Sequence, residues 1–184
     1  MPTVSIIILC LLATFKQCQS RSSVTALNTV RAQLAAKKGI LAATQLSRTN
    51  AFTDALKDLR TAEATDHKEH AIALGKDVND SITTSAIADG NINSGAIPSI
   101  INRCADLHIH IDESPPSSGD IYGFIDQSLI DTNYIRYITT PNGVLYALVL
   151  IDNKLAANFN QQYPRRPGII AENKDGSATK YQPT

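Results

Sequence analysis

The residues best suited to chemistry lie in one stretch, Cys104 to Asp120, which holds two of the chain's four histidines. If the apolar part of this stretch is a strand, alternate side chains share a face, so His108 and His110 lie side by side. Asp120 follows after a segment rich in proline and serine. Two imidazoles and a carboxylate are ligands typical of a catalytic zinc site with one open position. The stretch therefore predicts a zinc site.

Other interpretations of these residues stay open. Asp106 and Asp112 share the face of the histidines by strand alternation, so either is an alternative to Asp120 as third ligand. Asp120 also has a structural interpretation, because the helix dipole stabilises a carboxylate in the first turn of a helix. A His-x-His pair can likewise be two ordinary residues on the polar face of a half-buried strand.

A hydrolytic site also needs a general base that acts on the metal's water. Glu69 is the candidate because it opens the first predicted strand, although Glu63 lies nearby in sequence. His67 and His70 flank Glu69, and strand alternation places His70 on the opposite face from it. We interpret both of these histidines as residues of the surface or of the sheet edge.

Helical periodicity dominates the chain before the predicted sheet. Two helices are predicted over residues 22–62. The first is expected to end at Lys37-Lys38-Gly39, because cations and a following glycine are typical of a helix C-terminus. Asn50 or Thr53 is the predicted N-cap of the second. Nothing in this lead-in suggests chemistry, and we expect both helices to pack on one face of the sheet.

Strand and turn signals dominate the rest of the chain. The first predicted elements are a hairpin over residues 69–88 and a strand over residues 104–111, which carries the histidines. A helix over residues 121–129, capped by Ser117 or Ser118, follows. The last elements are a second hairpin over residues 134–151 and a helix over residues 152–163. Asn142-Gly143 is the turn of the second hairpin. The predicted fold class is α/β (α+β), with a mixed, hairpin-rich β-sheet flanked by helices and an N-terminal helical lead-in.

The candidate site residues resemble the motif of the JAB/MPN (JAMM) metalloprotease domain. That motif is a Glu on an early strand, then His-x-His, then a Ser and an Asp separated by two residues. The matches here are Glu69, His108-Ile109-His110, Ser117 and Asp120. The order of predicted elements also agrees with the family, and the resemblance covers residues 64–163.

By this resemblance His108, His110 and Asp120 would bind Zn²⁺. Glu69 would be the general acid/base, and Ser117 (or Ser118 in its place) would help to polarise the substrate carbonyl. The family hydrolyses peptide or isopeptide bonds, so a peptide or protein substrate is the implied partner. Two departures stand out: Ile111, where proline is usual, and a loop before the serine that is one residue short. They favour, as an alternative, a catalytically inactive JAB-like binding or scaffold protein. A toxin-associated processing module is a second alternative.

The N-terminus suggests export. Val4–Phe15 is an apolar run of twelve residues, too short to span a membrane and typical of a signal peptide. Cleavage after Ser20 and lipidation of Cys18 are the two alternatives, and the lipid would be the only membrane contact. The run Tyr146–Asp152 is also similar to exported family members from Bacteroidetes. An extracytoplasmic address would make peptidoglycan peptides or secreted proteins the substrates.

Charge and cysteine content exclude other classes. The formal net charge is zero, with no basic stripe, which argues against nucleic acid as a partner. Cys104 would be the one thiol left in the folded domain, where it is expected to be a buried small hydrophobe without a disulfide. We expect the chain to divide into a signal peptide (residues 1–20), a helical lead-in (21–63), a JAB/MPN-like domain (64–163) and a disordered tail (164–184).

Overall fold

The structure is a computed structural model that describes residues 22–92 and 95–164 of the 184-residue chain. The expected signal peptide, with Cys18, lies outside the described residues, as does almost all of the expected tail. None of the helices in the described ranges is long and apolar enough to cross a membrane.

The described residues form four α-helices and a mixed six-stranded sheet, which confirms the predicted fold class. In chain order the elements are α1 Ser22–Leu46, α2 Asn50–Asp66, β1 His70–Lys76, β2 Ile82–Thr84, β3 Ala88–Asp89, β4 Arg103–Ile109, α3 Ser118–Ile130, β5 Ile135–Thr139, β6 Leu145–Val149 and α4 Asn153–Gln162.

The sheet has the strand order β2-β1-β4-β5-β6, and the short β3 also pairs with β1. The β4–β5 pair is parallel, whereas the other pairs are antiparallel. Parallel neighbours require a crossover connection, which α3 provides here. The chain therefore leaves β4 through the proline-rich loop, passes along α3 and returns to the sheet beside β4.

The two faces of the sheet have different contents because side chains alternate along β4. Leu107 and Ile109 belong to the larger hydrophobic core, which α1 and α2 cover, with Phe52 of α2 and Tyr137 of β5. On the opposite face α3 and α4 cover a smaller cluster, whose members include Phe124, Ile125, Ile138 and Leu148. The histidines of β4 lie on this second face, beside the start of α3.

The predicted end of the first helix at Lys37-Lys38-Gly39 is wrong, since α1 continues to Leu46. Gly39 serves packing instead: a Cβ at this position would lie 2.9 Å from Cγ2 of Val149 on β6. The predicted caps of the second helix are also wrong, because the side chain of Thr49 accepts the hydrogen bond from the Phe52 amide.

The second predicted hairpin is confirmed as β5 and β6. Gly143 has φ of 91°, a left-handed conformation that glycine adopts at little cost. Oδ1 of Asn142 accepts hydrogen bonds from the Val144 amide and the Thr140 hydroxyl, which close the turn. The side chain of Asp152 then caps α4, because its Oδ1 accepts hydrogen bonds from the amides of Lys154 and Leu155. The first predicted hairpin is present with a broken return strand, β2 and β3.

Candidate metal centre

His108 and His110 project from the end of β4 onto the same face, as strand alternation predicts. His108 is within the strand, opposite Ala71 of β1 and Ile138 of β5. His110 lies just beyond it, where its amide still donates to the Thr139 carbonyl at 2.9 Å. The two rings are buried with their centroids 5.3 Å apart. The sheet therefore fixes the backbone of both imidazoles.

Asp120 reaches the histidines from the first turn of α3, and a capping box holds it there. Ser117 is the N-cap, and its hydroxyl accepts a hydrogen bond from the Asp120 amide. In return, Oδ2 of Asp120 accepts bonds from the Ser117 amide at 2.6 Å and the Ser117 hydroxyl at 2.7 Å. This reciprocal pair orients the carboxylate toward the sheet.

The three side chains converge closely enough to hold one metal ion. Nε2 of His108 lies 2.9 Å from Oδ1 of Asp120, and Nε2 of His110 lies 3.3 Å from Oδ2. One donor atom from each of the three residues lies within 4.8 Å of the others. Tetrahedral zinc ligands at their usual bond lengths are about 3.3 Å apart, so only small shifts separate this arrangement from a coordination shell.

The same proximity perturbs ionisation within the site. Burial opposes the charged form of Asp120, but hydrogen bonds from the two histidines and from Ser117 outweigh it and hold the pKa of Asp120 well below its usual range. Burial also lowers the pKa of His110, yet the Asp120 carboxylate more than compensates, so the pKa of His110 is raised. A carboxylate that stays ionised is what a cation requires.

The two imidazoles differ in how firmly they are held. Nδ1 of His110 lies 3.2 Å from the Ser114 carbonyl oxygen and 3.1 Å from the Ser114 hydroxyl. A proton on Nδ1, donated to that carbonyl, leaves the Nε2 lone pair directed at the centre. Nδ1 of His108 is buried and has no hydrogen-bond partner among the described residues. His110 is thus oriented from both sides, and His108 by the strand and by Asp120.

Glu69 faces this centre from the residue before β1. Its amide donates to the Asn91 carbonyl and its own carbonyl accepts from the Gly90 amide, which fixes the backbone. Burial raises the pKa of the Glu69 carboxyl, against the opposing influence of the nearby His110 and His108. The structure therefore brings the predicted general base beside the three candidate ligands.

The alternative acids have other roles in the structure. Asp106 is fully buried and bound by the guanidinium of Arg136 and the hydroxyl of Tyr134. Asp112 is exposed, and its carboxylate accepts a hydrogen bond from the Ser114 amide at 3.0 Å. Glu63 lies on α2, where it pairs with His67. Neither aspartate belongs to the group that is close enough to share one ion.

The prediction that His70 is a surface or edge residue is wrong. His70 is 2% exposed and lies on the face covered by α2, opposite Ile109 in the β1–β4 register. Nε2 of His70 is hydrogen-bonded to Asp66 at 2.8 Å, whereas Nδ1 lies 3.3 Å from Asp89 without forming a hydrogen bond among the described residues. His67 is exposed, as predicted, and takes a left-handed conformation that ends α2.

Of the two candidate serines, Ser117 contacts the site through Asp120, whereas Ser118 is the exposed first residue of α3. The prediction that one of them caps the helix is confirmed for Ser117. Sequence reasoning missed Ser114 and Arg136, which hold His110 and the start of α3 respectively. An arginine inside the apolar run of β5, beside a strand that carries Asp106, was the one available signal for a buried ion pair.

No protein-family model matches the chain, and no curated protein has a matching sequence. The fold and the site together define a mixed α/β protein whose His108, His110 and Asp120 could hold a metal ion.

Proposed function

We propose that this protein is a zinc-dependent hydrolase of peptide or isopeptide bonds, with a site of the JAB/MPN type. One observation carries the proposal: two imidazoles and a carboxylate converge within 4.8 Å at the sheet face, and a half-buried glutamate faces them. Such a combination is what hydrolysis by a metal-activated water requires.

The donor set supports zinc over other common metals. Two neutral nitrogen ligands suit zinc, whereas magnesium and calcium prefer oxygen ligands alone. Three protein ligands leave a fourth position for water or substrate. When bound there, the ion would lower the pKa of that water and polarise the substrate carbonyl.

Glu69 is proposed to move the protons of the reaction. It would take one from the attacking water and deliver it to the leaving amine, so that a single residue serves as base and then as acid. The raised pKa of its carboxyl favours this role, because a base whose pKa lies nearer to neutrality holds the transferred proton better.

Ser117 is proposed to act mainly through Asp120. Its hydroxyl proton is donated to Oδ2 of Asp120, so polarising a substrate carbonyl would require the hydroxyl to turn away from that carboxylate. The geometry favours orientation of the ligand over contact with the substrate. A peptide outside the cytoplasm, such as a peptidoglycan peptide, remains the proposed substrate.

Zinc content and hydrolysis, measured together on the same preparations, test the proposal. The wild-type protein is expected to bind about one equivalent of zinc at neutral pH and to cleave members of a panel of peptides and isopeptides. His110→Ala should lose both properties. Glu69→Gln should keep the zinc and lose the cleavage, because only the proton carrier is removed.

Failures of these measurements point to different errors. A wild-type protein that gains no zinc would refute the metal site. Zinc binding with no difference between wild type and Glu69→Gln on any substrate would favour the non-catalytic alternative. Equal zinc loss in Glu69→Gln and His110→Ala would make Glu69 a ligand and not the base.

A further inference from the structure

A buried ion pair joins the two parallel strands next to the candidate metal centre, on the same face of the sheet. Asp106 of β4 and Arg136 of β5 are partners in the strand register. Nε of Arg136 donates to both oxygens of Asp106, at 3.0 and 3.1 Å, and Nη2 donates to Oδ2 at 2.7 Å. Both side chains are buried, and Tyr134 adds a hydrogen bond from its hydroxyl to Asp106. The carboxylate is thus held by Arg136 of the partner strand and by Tyr134, the residue directly before that strand.

The remaining nitrogen of the same guanidinium bonds to the helix that carries the carboxylate ligand. Nη1 of Arg136 donates to the backbone carbonyl oxygen of Asp120 at 3.0 Å. Burial disfavours the charged guanidinium, but its hydrogen bonds to Asp106 outweigh this, and the pKa of Arg136 is raised. A guanidinium is a planar, rigid fork, so its bonds to a strand and to a helix fix the distance between them.

The distance between β4 and α3 also sets the separation of two candidate ligands, His108 on the strand and Asp120 on the helix. Asp106 precedes His108 by two residues on the same strand and therefore lies on the same face. The Asp120 carbonyl belongs to the residue whose carboxylate lies 2.9 Å from His108. The path from Asp106 through Arg136 to Asp120 is therefore a second connection between the ligands, independent of the loop that joins them in sequence.

Gly123 provides the space that this connection needs. A Cβ at Gly123 would overlap Nη1 of Arg136, and so would displace the nitrogen that bonds to Asp120. Glycine in the middle of a helix is destabilising relative to alanine. Its presence on the face of α3 that passes over the guanidinium agrees with a requirement for close approach.

We propose that Arg136 is a positioning residue that holds Asp120 against His108 and thereby sets the affinity of the site for a divalent metal ion. The proposal rests on the metal site described above. A purely structural ion pair would instead contribute to folding stability and leave the affinity of the folded protein for metal unchanged.

Three variants of the full chain separate these possibilities. Arg136→Lys replaces the fork by a point charge, and Gly123→Ala keeps both charges but displaces Nη1. Tyr134→Phe is the matched control, because it removes a hydrogen bond to Asp106 from the same buried cluster and leaves the bond between Arg136 and Asp120 intact. Affinity is measured by titration with Co²⁺, whose visible spectrum reports coordination geometry, and by competition between Zn²⁺ and a chelator. Denaturant midpoints report stability.

We expect Arg136→Lys and Gly123→Ala each to weaken metal binding about 10- to 100-fold and to alter the Co²⁺ spectrum, as is usual when an outer support of a ligand is lost. Tyr134→Phe should lower the denaturant midpoint and keep the wild-type affinity and spectrum. Wild-type affinity in folded Arg136→Lys and Gly123→Ala, or an equal loss in Tyr134→Phe, would overturn the positioning role while the metal site stands. A wild-type protein that binds neither metal would overturn both.

Discussion

Oδ2 of Asp120 accepts two hydrogen bonds from Ser117, one from its amide at 2.6 Å and one from its hydroxyl at 2.7 Å. The residue that caps α3 is thus also the residue that orients a candidate metal ligand. With Oδ2 engaged by the cap, Oδ1 is the oxygen directed at Nε2 of His108. Oδ2 also lies 3.3 Å from Nε2 of His110, so one carboxylate serves both the helix cap and the group of candidate ligands.

Replacing Ser117 by alanine should weaken both functions. We expect a loss of about 1 kcal/mol in the free energy of unfolding, which is typical for an N-cap serine. Zinc affinity should fall about tenfold, because one of the bonds that orient Asp120 is lost. Urea denaturation and chelator competition measure the two effects. Ser118→Ala, one residue later and exposed, is the matched control and should change neither.

The identity of the third ligand can be tested with two aspartates of the same region. Asp120→Asn should reduce zinc affinity by at least about tenfold, since a neutral amide oxygen is a poor substitute for a carboxylate. Asp112→Asn should retain wild-type affinity, because this exposed carboxylate caps a turn at Ser114. The opposite order of affinities would reassign the ligand to Asp112.

Alkaline pH should destabilise the fold through its buried tyrosines. Burial raises the pKa of Tyr137 and of Tyr134 well above the ordinary value. Their contribution to stability is complete below about pH 10, the pKa of an unfolded tyrosine, and is lost progressively as pH rises toward the folded values. Urea midpoints should therefore be steady from pH 8 to about pH 10 and fall above it.

Tyr137→Phe provides the corresponding control. It should be about 1 kcal/mol less stable at neutral pH, because the hydroxyl donates to the Ala43 carbonyl at 2.7 Å. Its stability should decline less steeply above pH 10 than that of the wild type. An identical decline in both proteins would show that other groups cause the alkaline loss.

Gly39→Ala tests the contact between α1 and β6. In an exposed helix this change stabilises by about 0.5–1 kcal/mol, but here we expect a loss of about 1–3 kcal/mol from overpacking against Val149. Val149→Ala removes the methyl groups that a Cβ at position 39 would meet. In that background, Gly39→Ala should cost less stability than it does in the wild type. A stabilised single variant would mean that Gly39 does not pack on β6.

Local rules predicted how the three candidate ligands are placed, while Asp106 and Asp112 stayed open as alternatives to Asp120. Strand alternation placed His108 and His110 on one face, and the cap at Ser117 placed Asp120 in the first turn of the following helix. Each rule acts over a few residues, so no knowledge of the remaining chain was needed. Glu69 was predicted as the base because it opens the first strand, and the family resemblance agreed; its position beside the candidate ligands depends on the pairing of β1 with β4.

Features that depend on distant contacts could not be predicted. Gly39 resembles a helix terminus until its neighbour on β6 is known, and His70 resembles an edge residue until Asp66 and Asp89 are placed around it. The Arg136–Asp106 pair requires the parallel register of β4 and β5, which joins residues thirty positions apart. In each case tertiary packing overrode the local pattern.

The three candidate ligands lie within the thirteen-residue stretch from His108 to Asp120. Closing so short a loop costs little chain entropy, so even the unfolded polypeptide would retain some attraction for a metal ion. Because an ion stabilises a fold only through the difference between its affinities for the folded and unfolded chains, zinc would contribute less to stability than its binding strength suggests. Metal capture could therefore precede folding, whereas the arrival of Glu69 requires β1 to pair with β4.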